Sequence, residues 1–123
     1  MQTFPKSSRL LKKSEFQRAY HKGIKLSGIH LLIYSLPTSY SSSRLGISVP
    51  KKFGKSHDRN YFKRLIREFF RRFPKKDITY DLHVIPRNEI IKMNPDGLFA
   101  DFLNLMNQLD LKKTKTEDLV LKN

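Results

Sequence analysis

KKFGKSHDRNYFKRLIREFFRRFPKK, residues 51–76, holds eleven Lys or Arg against only Asp58 and Glu68, and an apolar series runs through the charge. Phe62, Leu65, Ile66, Phe69, Phe70 and Phe73 recur at helical spacing, so a helix from about Asp58 to Phe73 presents a wide apolar stripe that must dock on a sheet. Its other side then carries Arg59, Lys63 and Arg67 at successive four-residue steps, with Arg64, Arg71 and Arg72 flanking them. Each like-charged neighbour at that spacing costs an isolated helix roughly 0.2–0.5 kcal/mol, and Glu68 offsets only part of it.

The segments on either side read as strands. Leu45, Ile47 and Val49 alternate with Gly46 and Ser48 in RLGISV, residues 44–49, and Tyr80, Leu82 and Val84 face one way in TYDLHVI, residues 79–85. Strand, helix and strand in this succession predict a crossover unit with a parallel pair. Further out, IHLLIYSL, residues 29–36, is short and uniformly apolar, which predicts a central strand covered on both faces and ended by Pro37. The turn-rich PTSYSSS, residues 37–43, would join it to RLGISV as an antiparallel pair. Ser14 to Gly23 predicts a short helix with Ser14 as cap, Phe16, Ala19 and Tyr20 on one face, and Gly23 at its C-terminal end. Asn94-Pro95-Asp96 opens a last helix whose face is Leu98, Phe99, Phe102, Leu103, Met106 and Leu109. No internal repeat is present. The elements amount to a single α+β domain, a small mixed sheet packed with helices in the order α-β-β(-β)-α-β-α.

Nine Phe and five Tyr among 123 residues give the chain apolar surface to bury, so it folds despite a formal net charge of +14. The charge is uneven: residues 1–76 hold 19 basic and 3 acidic groups, whereas residues 77–123 hold 6 and 8. Self-repulsion of that size is best tolerated where a polyanion neutralises it. With no Cys, thiolate metal sites, disulfides and cysteine nucleophiles are excluded. No apolar run approaches the roughly 18 residues of a membrane-spanning helix, and the basic N-terminus lacks a signal-type apolar stretch, so a cytoplasmic protein with no membrane partner is expected.

Around the basic helix, Gly54 permits a turn, Lys51, Lys52 and Lys55 add charge, and Ser56 or Asp58 can cap the first turn. Backbone N–H groups at such an end point toward an approaching phosphate, and Asn60 can bond a phosphate, a sugar hydroxyl or a base edge. A solvated amphipathic face would mix charge signs, and a membrane-surface helix would need the apolar stripe that the sheet requires. A nucleic acid is the partner that fits.

Lys51-Lys52-Phe53-Gly54 followed by Arg59-Asn60-Tyr61-Phe62-Lys63-Arg64-Leu65-Ile66-Arg67-Glu68 resembles the signature of the bacterial ribonuclease P protein subunit. Arg9 to Lys13 with Glu15-Phe16 and Tyr20 looks like that family's first helix, and Leu32-Ile33-Tyr34, Arg44 to Val49 and Asp81 to Arg87 look like its strands. Tyr61 departs from the family's usual Arg; it can stack on a ribose or base or simply pack, and its place beside the apolar stripe favours packing. The resemblance implies an α/β sandwich with a left-handed β-α-β crossover and an RNA-binding domain over residues 9–110; residues 1–8 are expected as a flexible extension, and the charged segment beyond Leu111, without sustained periodicity, predicts a disordered tail over 111–123.

It also implies a division of labour. A catalytic RNA with bound Mg²⁺ removes the 5′ leader of precursor tRNA, while the protein binds that RNA and the leader, with no obligate protein partner. Lys51, Lys52, Lys55, Arg59, Asn60, Lys63, Arg64, Arg67 and Arg71 are the candidates for the RNA subunit. Phe16, Tyr20 and Tyr34 are those for stacking on the leader, with Lys12, Lys13 and Arg18 for its phosphates. Packing in the core is the alternative for the three aromatics. No carboxylate pair or metal cluster stands out, and His57-Asp58 reads as a cap and its neighbour, so no catalytic or metal residue is assigned. A ribosomal or chaperone-type RNA-binding protein is the rival reading.

Overall fold

The computed structural model describes residues 13–38, 42–73, 79–87 and 94–121, with side chains as far as Leu109. In chain order the elements are α1 (Lys13–Lys22), β1 (Ile24–Ser27), β2 (Leu31–Thr38), β3 (Arg44–Ile47), α2 (Ser56–Arg72), β4 (Thr79–Pro86) and α3 (Pro95–Leu121). A single 3₁₀ turn, Lys51–Phe53, precedes α2.

The four strands lie in the order β1-β2-β4-β3. β4 runs parallel to β3, as the crossover predicts, and antiparallel to β2. The expected antiparallel pair of β2 with β3 is therefore corrected: β4 inserts between them. Pro37 does not end β2, which runs on to Thr38. β1 reaches only Ser35, so beyond it β2 is bonded on one side alone and Pro37 loses no ladder bond by lacking an N–H.

Register divides the side chains into two faces. Leu26, Ile33, Val84 and Ile47 lie in one cross-strand row, and Leu82 and Leu45 stand in the next. This face meets Phe62, Ile66 and Phe69 of α2 and Leu98, Phe102, Leu105 and Leu109 of α3 in one core. Phe69 bridges the two helices, its ring 4.9 Å from Phe99 and 6.0 Å from Phe102. The observed face of α3 adds Leu105, absent from the expected stripe, and leaves Leu103 half-buried. The helical backbone continues to Leu121, where the sequence predicted a tail, because no Gly or Pro follows Gly97 to interrupt it.

Two glycines are dictated by close approach. A Cβ on Gly23 would stand 2.4 Å from the Ala19 carbonyl oxygen and 2.6 Å from that of Ser35, so only glycine lets α1 end against β2. Its role is this contact and not a left-handed turn, since no described glycine has positive φ. A Cβ on Gly28 would stand 2.4 Å from the Asp101 carboxylate, which accepts the N–H groups of Ile29, His30 and Leu31 at 3.0–3.1 Å. Asp101 thereby ties α3 to the β1–β2 turn.

Candidate nucleic-acid interface

α2 begins at Ser56, with Lys55 in the capping position and no side-chain cap bond, so neither Ser56 nor Asp58 caps it as expected. Ser56 instead accepts a bond from Arg59 Nη2 at 3.0 Å. Gly54 is extended, a Cβ built on it would stand 3.1 Å from the Asp58 Cβ, and it leads the chain directly from the 3₁₀ turn into the helix.

Asn60, Arg64 and Arg71 are the exposed members of the candidate set on α2, with Lys51, Lys52 and Lys55 exposed just before it. Arg59, Lys63 and Arg67 are half-buried along one flank, so the outward ridge is 60-64-71 and the expected 59-63-67 row lies beside it. Glu68 pairs with Arg71, and the Arg64 guanidinium carbon lies 5.3 Å from the centre of the Tyr61 ring. Tyr61 is thus half-buried and packed against a cation.

The second face of the sheet is covered by α1. Here Lys25, Tyr34, His83 and Gly46 occupy one cross-strand row spanning all four strands. Tyr20 of α1, 53% exposed, lies 4.9 Å from the buried Tyr34 ring, and Phe16, half-buried, meets the His83 ring edge-on at 4.7 Å. The three expected aromatics therefore do converge, with different exposure: a stacking base would meet Tyr20 first, while Tyr34 supports it from below. Lys13 and Arg18 are exposed on α1; Lys12 and the 1–8 extension lie outside the described residues.

One row along, Arg44 forks onto Asp81, Nε to Oδ1 at 2.9 Å and Nη2 to Oδ2 at 2.7 Å, and its Nη1 reaches Glu15 of α1 at 2.5 Å. The hydrogen bond to Asp81 is the main reason the Arg44 guanidinium holds its proton even more firmly than usual. His83 is 7% exposed and burial lowers its pKa to about 4, so it is a neutral imidazole at pH 7. Among the described residues no three His, Asp or Glu are grouped to hold a metal. Asp81 and Glu15 are tied to Arg44, and Asp101 to backbone N–H groups.

Lys25 and His83 escaped the sequence reading of this cleft. Lys25 sits on a four-residue edge strand, and the alternation Ile24-Lys25-Leu26-Ser27 was its only signal. His83 was signalled by its alternation with Leu82 and Val84, but its neighbours depend on a register that no local pattern specifies. No described helix is long and apolar enough to cross a membrane.

Residues 4–110 match the family described as Ribonuclease P. The chain is 40% identical over 103 residues to the ribonuclease P protein component of Chlamydia caviae, covering 81% of this chain and 72% of that protein. It is 36% identical over 105 residues to that of Clostridium botulinum, covering 84% and 95%. Among solved structures, the Staphylococcus aureus RNase P protein superposes with a TM-score of 0.77 at 30% identity, covering 85% of this chain and 96% of that one. The Thermotoga maritima RNase P protein gives 0.71 at 32%, covering 81% and 96%.

Proposed function

The chain belongs to the ribonuclease P protein family, and from that premise we propose how it serves removal of the 5′ leader from precursor tRNA. The exposed ridge of α2, Asn60, Arg64 and Arg71, together with Lys51, Lys52, Lys55 and the flanking Arg59, Lys63 and Arg67, grips the catalytic RNA. Arginine forks suit phosphate oxygens, and each phosphate neutralised releases counterions, so affinity falls steeply with salt. The α1 face receives the unpaired leader: a base stacks on Tyr20 over Tyr34, Phe16 lines the cleft, and Lys12, Lys13 and Arg18 meet phosphates.

Bond breaking falls to the RNA. Mg²⁺ belongs with the RNA and substrate in this reading, because the buried carboxylates of this chain, Asp81 and Asp101, are engaged with Arg44 and with backbone N–H groups. Cytoplasmic tRNA maturation is the setting that such partners imply.

The observation that carries the reading is the pairing of a cationic ridge on one side of the sheet with a partly open aromatic cluster on the other. The test is to mix the protein with the family's catalytic RNA and precursor tRNA at low Mg²⁺. Stimulated 5′ cleavage supports it. Binding without stimulation would favour a structural RNA-binding protein, and cleavage by rigorously RNA-free protein would favour a nuclease acting alone.

A further inference from the structure

His83 is the unexplained group on the α1 face. A buried imidazole is costly where an aliphatic side chain would pack freely, and its Nδ1 is buried without a hydrogen-bond partner. Its Nε2 lies 2.8 Å from Ser48 Oγ, and Ser48 is itself held to β4 by its N–H donating to the Val84 carbonyl at 3.1 Å. A bare buried lone pair costs less than a buried unpaired N–H, so the proton sits on Nε2 and is donated to Ser48. That bond fixes the plane of the ring.

What the fixed ring touches gives it a role. Phe16 stands edge-on to it, centroids 4.7 Å apart with planes at 73°, and Tyr34 lies tilted at 6.3 Å. Tyr34 in turn carries the exposed Tyr20 at 4.9 Å. His83 of β4 thus joins a ring from α1 to a ring from β2, and the orientation of the aromatic cluster passes through it.

We propose that His83, fixed by Ser48, is a positioning residue that sets Phe16 and, through the buried Tyr34, the exposed Tyr20 at the angles needed to stack single-stranded leader RNA. This rests on the assignment of the α1 face to the leader. A leucine would fill the volume but present neither a flat face to Tyr34 nor an edge to Phe16.

The test uses the reconstituted holoenzyme and compares its affinity for precursor tRNA bearing a long leader with that for a one-nucleotide leader. His83→Leu and Ser48→Ala should each lower the long-leader advantage about three- to tenfold, a fraction of the effect of losing a stacked base, while affinity for the catalytic RNA stays unchanged. In a Phe16→Ala background His83→Leu should cost less than it does alone, because part of its effect passes through Phe16; a purely structural residue would give additive losses. If Tyr20→Ala erases the advantage but His83→Leu and Ser48→Ala preserve it, the positioning role is overturned and the leader assignment stands. If Tyr20→Ala also preserves it, the assignment falls and the proposal with it. Ser48 is exposed, so its variant reports even where His83→Leu fails to fold.

Discussion

Arg44 does three jobs with one guanidinium: it satisfies both oxygens of the buried Asp81 and clasps Glu15 of α1. Removing it strands Asp81 as an uncompensated charge, so Arg44→Ala should destabilise the fold by about 3 kcal/mol, seen as a lower urea midpoint. Arg44→Lys should recover less than half, since an ammonium cannot reproduce the fork. His83 adds a pH signature. Its pKa is near 6.5 in the unfolded chain and about 4 when folded, so between those values the unfolded state binds the extra proton. The stability tied to keeping this ring neutral is fully present above about pH 6.5 and is lost as pH falls toward 4. The loss should be about 1–3 kcal/mol, and His83→Leu should flatten that part of the stability profile. An unchanged profile would mean that the ring is well hydrated.

At the scale of elements, the helices were legible because an apolar stripe at helical spacing is a local signal: Phe62, Ile66 and Phe69 do bury, and Leu98, Phe102 and Leu109 do face the same core. Strand existence was legible for β2, β3 and β4 by alternation or apolar run. Strand order was not, because the neighbour of β3 arrives some 30 residues later, after α2, and nothing in RLGISV distinguishes the edge of β4 from that of β2. The basic ridge was legible in composition but shifted in phase: Arg59, Lys63 and Arg67 are half-buried and the more exposed line runs through 60-64-71. That phase has a consequence for binding. Arg64→Ala should weaken the complex with the catalytic RNA and lower the slope of log K against log salt by about one, whereas Lys63→Ala, on the flank, should lower it less. Equal slopes for the two variants would return the contact to the original row.

For the whole molecule, the sheet separates the two surfaces proposed to meet RNA: α2 lies over the Ile33–Val84 face and α1 over the Tyr34–His83 face. The sheet and the buried core stand between the aromatic cluster and the ridge. Grip on the catalytic RNA and grip on the leader should therefore be energetically independent within a rigid domain. If, as proposed, Arg64 serves assembly and Tyr20 leader affinity, the protein carrying Arg64→Ala and Tyr20→Ala together, titrated with long-leader precursor tRNA in the presence of the catalytic RNA, should lose the sum of the two single effects to within about 0.5 kcal/mol. A coupling well above that would require the RNA to thread one continuous path from α2 around the β3 edge into the α1 cleft. Phe16, Arg44 and Ser48, at that end of the cleft, would then be the residues on which the two surfaces meet.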